Sequence, residues 1–137
     1  MIGTLAEKSL HAMLKQAIGQ PSDQFEQKVD GFVIDIVRGE TRIEIQTRNL
    51  GAMKRKLGRL LPHLPVHLIH PIAAQRWIVR QTASGEWVDR RKSPKRGYAT
   101  DAFRELIRIP RLLPHPNLTL ELLLVDELEE EKQPQVV

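Results

Sequence analysis

The segment from Thr41 to Leu61, TRIEIQTRNLGAMKRKLGRLL, changes its periodicity halfway along, and this change constrains the fold more than any other feature of the chain. Its first part alternates apolar and polar side chains, a period of two that is typical of a half-buried strand. Asn49 can cap a helix that runs from Leu50 to Leu61 with an apolar stripe along one face. The segment therefore predicts a strand followed directly by a helix.

A second β-branched run lies just upstream, from Phe32 to Val37, and carries one charge, at Asp35. The tetrapeptide Arg38-Gly39-Glu40-Thr41 separates the two runs, and a glycine in so short a link is typical of a tight turn. The two runs therefore predict a β-hairpin.

The rest of the chain supplies further elements on both sides of this hairpin. Thr4 and Glu7 have the spacing of a capping box at the start of a helix that ends at Gly19. Gln24 to Gly31 is either a strand or an approach loop. Downstream, the pattern predicts strands at 66–72, 76–81 and 118–125, an exposed basic loop at 89–97 and a short helix that ends at Ile109.

Helices and strands in this order predict an α/β fold. We expect one domain over residues 1–125, with a mixed central β-sheet flanked by helices in αβββαββ order, and an acidic, disordered tail at 126–137. A chain of 137 residues with 41% apolar side chains is long enough to bury one core.

Charge is divided unevenly along the chain. Residues 121–137 hold six acidic side chains against Lys132 and net −5, so the +4 of the whole chain leaves +9 on residues 1–120. A body this basic is what a polyanion-binding surface requires, since phosphate contacts supply most non-specific affinity for nucleic acids. A solvated surface is the alternative explanation.

The composition also bears on the compartment. The chain has no cysteine, which excludes disulfides and thiolate zinc sites and fits a reducing cytoplasm. No apolar run approaches the roughly 20 residues that span a bilayer, and the N-terminus lacks the apolar core of a secretory signal. We therefore expect a cytoplasmic protein without membrane association.

One carboxylate in the predicted hairpin requires a partner. Glu44 and Gln46 leave their strand on one face, and the isoleucines beside them leave on the other. An ionised carboxylate inside a strand is costly unless a positive charge meets it, and a divalent cation held by a second carboxylate is one such partner. A two-residue turn would place Asp35 opposite Glu44, whereas a three-residue turn would bring Asp30 to its face. The sequence leaves both registers open.

Four residues, in chain order, resemble a known nuclease motif. Glu7 lies in the first predicted helix, Asp30 in KVDG, and Glu44 and Gln46 in IEIQ, ahead of a basic helix. This arrangement resembles the PD-(D/E)xK nuclease superfamily, particularly its archaeal Holliday-junction-resolvase-like branch, over roughly Leu5 to Gln81. The resemblance implies a restriction-endonuclease-like fold and metal-dependent hydrolysis of phosphodiester bonds in DNA.

The resemblance also implies a role for each residue. Asp30 and Glu44 would hold Mg²⁺ or Mn²⁺, with Glu7 as an auxiliary ligand. Gln46 stands where the superfamily has a lysine that orients and activates the attacking water. A glutamine can orient that water by hydrogen bonds but lacks the positive charge that stabilises hydroxide. Asp35 is an additional strand carboxylate that the motif does not need, and it is the alternative second ligand.

Two basic segments are candidates for phosphate contacts with nucleic acid. In the helix after the strand, the candidates share the basic face opposite the apolar stripe and are Lys54, Arg55, Lys56 and Arg59. In the predicted basic loop, they are Arg90, Arg91, Lys92, Lys95 and Arg96. A solvated surface is again the alternative for both.

Two other function classes are compatible with the same sequence. A domain of this fold that has lost its catalytic lysine would be a nucleic-acid-binding module. The opposite charges of residues 1–120 and residues 121–137 would instead suit a small interaction protein that self-associates by contacts between these two segments. A homodimer is compatible with all three interpretations.

Overall fold

The periodicities of the sequence become helices and strands along residues 2–130, the part of the chain that the computed structural model describes; side chains are described at residues 10–80, 82–86 and 88–128. The elements, in chain order, are α1 (Ile2–Ile18), β1 (Gln24–Val29), β2 (Phe32–Arg38), β3 (Thr41–Ile45), α2 (Lys54–Leu60), β4 (Val66–Gln81), β5 (Trp87–Lys92), α3 (Phe103–Leu106) and β6 (Leu118–Glu130). Short 3₁₀ turns, Leu50–Met53 and Ala99–Ala102, lead directly into α2 and α3.

The six strands of this part of the chain form one mixed sheet. β1, β2 and β3 pair antiparallel in sequence order, and β3 then runs parallel to β4. β4 pairs in parallel with β6 along nearly its whole length, and its last residues pair antiparallel with β5. Because β6 occupies one edge of β4, β3 and β5 share the other edge. The predicted fold class, a single α/β domain with a mixed sheet flanked by helices, is confirmed.

Each face of the sheet carries its own core. The core beneath α2 consists of Ile34, Leu50, Met53, Leu57, Leu60, Leu61, Val66, Leu68 and Ile109. The core beneath α1 consists of Leu14, Ile36, Ile43, Ile45 and Ile69. Leu68 and Ile69 are neighbours in β4 and enter different cores, as the period of two in a strand requires. α1 and α2 therefore lie on opposite faces of β3.

The strand at the centre of the sheet is longer than predicted. The two strands expected at 66–72 and 76–81 are a single strand of 16 residues, β4. Its pairing with β6 shifts register between Ala73 and Gln75. A bulge of this kind inserts one residue and reverses the alternation of faces, which explains why the sequence pattern breaks there.

The prediction of a basic loop at 89–97 is wrong for the first half of that segment. Residues up to Lys92 belong to β5, an edge strand, and only residues 93–98 form a loop. Charged side chains on an edge strand are a common protection against aggregation, so the basic run is compatible with a strand.

The element boundaries near both termini also differ from those expected. α1 is already formed at Ile2, ahead of the predicted cap at Thr4. β6 continues to Glu130, so residues 126–130 of the predicted disordered tail pair with β4, and residues 131–137 lie outside the described part. An ion pair between Arg76 Nε and Glu127 Oε2, 3.5 Å apart, accompanies this extension of the strand.

We expect the core beneath α2 to dominate stability. Leu57 is fully buried, whereas Met13 on α1 is 66% exposed. Leu57→Ala should lower the free energy of unfolding by about 3 kcal/mol, since it removes buried apolar surface and leaves a cavity, and Met13→Ala should change it by about 0.5 kcal/mol or less. Urea denaturation of both variants tests this, and equal losses would contradict the assigned core.

Candidate active site

The register of the β2–β3 hairpin decides which carboxylate meets Glu44. Arg38 pairs with Thr41, so the turn consists of two residues, Gly39 and Glu40. Gly39 has a φ of 58°, a left-handed value that glycine adopts without steric cost. Continuing this register places Asp35 directly opposite Glu44. Of the two registers that the sequence left open, the hairpin adopts the one with the two-residue turn.

The hairpin ladder opens at these two acidic residues. Backbone pairing of β2 with β3 ends at Ile36 and Ile43, and side chains then take over. The Asp35 N–H donates to Glu44 Oε1 over 3.2 Å, and the Ile45 N–H donates to Asp35 Oδ2 over 2.8 Å. Ile34 and Ile36 would share a face in a regular strand, yet they enter different cores, so β2 is irregular at Asp35. The two carboxylates lie in the gap that this irregularity creates.

Glu44 is buried and paired with a lysine from α2. The residue is only 3% exposed. Lys56 Nζ lies 3.0 Å from Glu44 Oε2 and also donates to the carbonyl oxygen of Val33 over 2.8 Å. Lys56 thus provides the positive charge that a carboxylate in this strand requires.

The pKa of Glu44 reflects these surroundings. Burial and the neighbouring negative charge of Asp35 raise the pKa of Glu44 to about 7, while Lys56 acts in the opposite direction. The pKa of Glu44 therefore lies near neutral pH, well above that of a solvated carboxyl. A buried carboxyl with such a pKa is typical of functional sites, and structural ion pairs also produce it.

Asp35 is approached from the other face of the sheet. His11 of α1 lies with Nε2 3.2 Å from Asp35 Oδ2, and the Asp35 side chain is 15% exposed. Asp35 is therefore held by a backbone amide from β3 and an imidazole from α1. The side chain of Glu7, in the same helix, lies outside the described residues, so its predicted role stays a prediction.

The hairpin does not adopt the register that would have brought Asp30 to the face of Glu44. Asp30 and Gly31 form the β1–β2 turn, both with positive φ, 54° and 81°. Aspartate tolerates this left-handed conformation better than most residues. Asp30 lies five residues before Asp35, roughly 16 Å away at the usual rise per residue of a strand. The two-residue turn of the next hairpin therefore puts Asp35, not Asp30, beside Glu44.

Gln46 follows β3 directly and is anchored by hydrogen bonds. Its backbone N–H donates to the carbonyl oxygen of Ile69 over 2.9 Å, and its side-chain amide donates to the carbonyl oxygen of Asn49 over 3.1 Å. His70 Nδ1 lies 2.7 Å from the carbonyl oxygen of Gln46. These contacts hold both the backbone and the side chain of Gln46 in place, just after the strand that carries Glu44.

The predicted nucleic-acid contacts lie on exposed surfaces. Exposed members of the set are Lys54, Arg55, Arg59, Arg90, Arg91, Lys92, Lys95 and Arg96. In β5, Arg90 and Lys92 both lie over the ring of Trp77, 5.1 and 5.3 Å from its centroid. The structure thus brings an aromatic ring and two of these cations together on the β4–β5 hairpin.

Sequence reasoning missed Lys56, His11 and the place of His70. Lys56 was counted with the exposed basic face of its helix, although it directly precedes the buried Leu57 and borders the apolar stripe. His11 borders the stripe of α1 in the same way. A polar residue at the edge of an apolar stripe is a weak signal, because many such residues are simply solvated.

The metal-binding capacity of the site rests on two carboxylates. Among the side chains that the structure describes, no three His, Cys, Asp or Glu residues are grouped to hold a metal ion. Mg²⁺ is commonly held by one or two carboxylates together with water and phosphate oxygens, so Asp35 and Glu44 are chemically suitable ligands.

Fold and site together define a class: a small α/β domain with a carboxylate pair in an opened hairpin, next to a basic helix. Over residues 8–135 the chain matches the family described as "Domain of unknown function (DUF8091)", and it belongs to that family. It is 32% identical over 125 residues to an "Uncharacterized protein" from Treponema pallidum (strain Nichols), a match that covers 90% of this chain and 50% of the relative. The chain thus spans about half the length of the curated relative it matches.

No solved structure matches the chain significantly. None of the helices that the structure describes combines the length and hydrophobicity needed to cross a bilayer.

The raised pKa of Glu44 makes stability depend on pH. The unfolded carboxyl ionises near 4.5 and the folded one near 7, so between these values the folded state binds more protons and stability falls as pH rises. Relative to Glu44→Gln, wild-type protein should lose about 3 kcal/mol of unfolding free energy between pH 4.5 and pH 8. Urea denaturation across this range measures the difference.

Glu40→Gln is the matched control for this experiment. Glu40 is exposed in the turn of the same hairpin, so its variant should follow the pH profile of the wild type. Parallel profiles for Glu44→Gln and the wild type would mean that Glu44 ionises like a solvated carboxyl.

Proposed function

We propose that this chain is a metal-dependent nuclease that hydrolyses phosphodiester bonds in DNA, with Asp35 and Glu44 as the metal ligands. The observation that carries the proposal is the meeting of these carboxylates across the hairpin, with Gln46 two residues beyond Glu44. Asp35 takes the place that the motif resemblance had given to Asp30. A nucleic-acid substrate also makes the cytoplasm the proposed compartment.

The carboxylate pair is chemically suited to Mg²⁺ or Mn²⁺. Two negative charges share one gap, and their repulsion contributes to the raised pKa of Glu44. A divalent cation would relieve this repulsion and release the proton from Glu44, so its binding should strengthen as pH rises. When bound, such an ion polarises the phosphoryl group and lowers the pKa of its water.

Lys56 supplies the charge that Gln46 lacks. Its ammonium lies 3.0 Å from Glu44 Oε2, so it is placed to stabilise negative charge that develops on a phosphate at the site. Gln46 retains the ability to orient a water by hydrogen bonds. In this proposal, the two tasks of the superfamily lysine are divided between Gln46, just after β3, and Lys56 in α2.

One observation favours a second candidate, a nucleic-acid-binding module without catalysis. Lys56 already pairs with Glu44, so the protein itself supplies a cation to this carboxylate without a metal ion. The third interpretation, self-association through opposite charges, is less well supported because Glu127 forms an ion pair with Arg76, and Glu121 contacts His67, within the same chain.

Cleavage of labelled duplex, branched and single-stranded DNA with Mg²⁺ or Mn²⁺ tests the leading proposal. Asp35→Asn and Glu44→Gln should each lower the cleavage rate by about 100-fold or more, because each removes a ligand charge at the reacting phosphate. Asp30→Asn is the control, since it changes the same chemical group in a turn remote from Glu44, and its rate should stay within about twofold of the wild type. Loss of cleavage in Asp30→Asn but not in Asp35→Asn would overturn the assignment.

Lys56→Met separates the nuclease from the binding module. A nuclease should lose about 100-fold in cleavage rate, while Mn²⁺ affinity measured by calorimetry rises because the competing ammonium is gone. Arg104→Met, an exposed change outside the predicted nucleic-acid contacts that also removes one positive charge, is the control and should leave both quantities unchanged. A wild-type protein that binds DNA but neither cleaves it nor binds Mn²⁺ would support the binding module.

A further inference from the structure

A cavity of about 460 Å³ lies beside the candidate active site. Thr47, the residue that follows Gln46, is part of its wall. The residues that give it chemical character are His70, Arg76, Lys95, Arg96, Gly97 and Asp101. The cavity therefore begins just beyond the end of β3, one residue after Gln46.

The cavity results from the length of β4. β3 pairs with β4 only up to Ile69, and β5 begins to pair with it at Trp77. Between these points no strand within residues 2–130 covers this edge of β4. Residues 93–97 cross it instead, held by hydrogen bonds from Ser93 N–H to the carbonyl oxygen of Arg76 (2.7 Å) and from Gly97 N–H to that of Ala73 (2.8 Å).

Gly97 allows the loop to approach the strand this closely. A Cβ atom at this position would lie 2.4 Å from the carbonyl oxygen of Ala73 and 2.9 Å from Ile72 Cγ2. Backbone cannot move aside cheaply at such distances, so a glycine is required. The basic loop is thus fixed against the sheet at one point, with Lys95 and Arg96 directly before it.

The charge of the cavity wall is positive. Arg76, Lys95 and Arg96 contribute three cations, against one carboxylate, Asp101. The Asp101 carboxylate accepts a hydrogen bond from the Tyr98 N–H over 2.7 Å and so has a local partner. Arg76 contacts Glu127 over 3.5 Å. Several cations on one concave surface attract an anion more strongly than scattered surface lysines do.

His70 connects this cavity to the candidate active site. It is 6% exposed, and its Nδ1 lies 2.7 Å from the carbonyl oxygen of Gln46. A carbonyl oxygen only accepts hydrogen bonds, so Nδ1 carries the proton and donates it. This hydrogen bond therefore links Gln46 directly to a residue that lines the cavity.

We propose that the cavity binds one phosphate group of a nucleic-acid strand, next to the phosphate that the Asp35–Glu44 site would hold. This inference deepens the proposed function and shares its assumption that nucleic acid is the ligand. Lys95 and Arg96 make the direct contacts, and Arg76 adds to the positive potential. Phosphate contacts of this kind fix the register of the strand without reading its sequence.

Salt-dependent binding of a short fluorescein-labelled DNA strand, in EDTA so that cleavage does not enter, tests the inference. The double variant Lys95→Gln/Arg96→Gln should lower affinity about tenfold and reduce the slope of log K against log salt by about 0.7 to 0.9, the value for one phosphate contact. Arg108→Gln/Arg111→Gln removes the same charge from a separate cavity, so it should change affinity by about twofold and leave the slope unaltered.

The outcomes separate this inference from the proposed function. Equal effects of the two double variants would overturn the cavity as a phosphate site, whether or not the protein cleaves DNA. A selective effect of Lys95→Gln/Arg96→Gln supports the cavity even if no cleavage is found. Inorganic phosphate provides a second arm: amide shifts of Gly97 and His70 that saturate with phosphate as readily as with the DNA strand would identify free phosphate as the ligand and overturn a nucleic-acid strand.

Discussion

The two-residue turn at Gly39 and Glu40 is the constraint on which the rest of this structure depends. It fixes the register of the hairpin, and register decides which side chains share a face. With this turn, Asp35 lies opposite Glu44 and the flanking isoleucines enter their cores. A slip by one residue would send the isoleucines of β3 to the wrong face, so the carboxylate pair and the hydrophobic cores are specified together.

Placing two carboxylates in this gap opposes stability, and the fold compensates from three directions. Backbone amides of both strands donate to the carboxylates in place of ladder hydrogen bonds. Lys56 approaches from α2 on one face, and His11 approaches from α1 on the other. The compensation is incomplete, since burial and mutual repulsion still raise the pKa of Glu44 to about 7. Departures from ideal local structure that persist at such a cost are often found at functional sites.

Local patterns predicted the hairpin, the helical stripes and the fold class, because each depends on short-range periodicity. The sequence narrowed the partner of Glu44 to Asp35 or Asp30, one for each of two hairpin registers. It could not decide between them, since a turn of two residues and a turn of three residues both fit the segment between the strands. Long-range contacts escaped prediction. β4 was divided in two because its bulge reverses the pattern, and β5 was taken for a loop because an exposed edge strand carries no apolar alternation. Lys56 was grouped with its exposed neighbours because its partner, Glu44, lies twelve residues away in the sequence and local patterns do not reveal such a contact.

The ion pair between Lys56 and Glu44 is where the nuclease and the binding module diverge physically. Under the nuclease proposal, a divalent cation at Asp35 and Glu44 would have to displace a proton near neutral pH and compete with an ammonium 3.0 Å away. An incoming phosphate would change this balance, because it would offer Lys56 a second anion and give the cation further oxygen ligands. Substrate and metal would then bind cooperatively, each making the site more favourable for the other. In the binding module, Lys56 would stay paired with Glu44. The two carboxylates would then serve only to accept hydrogen bonds from the backbone amides of Asp35 and Ile45, where the β2–β3 ladder is interrupted.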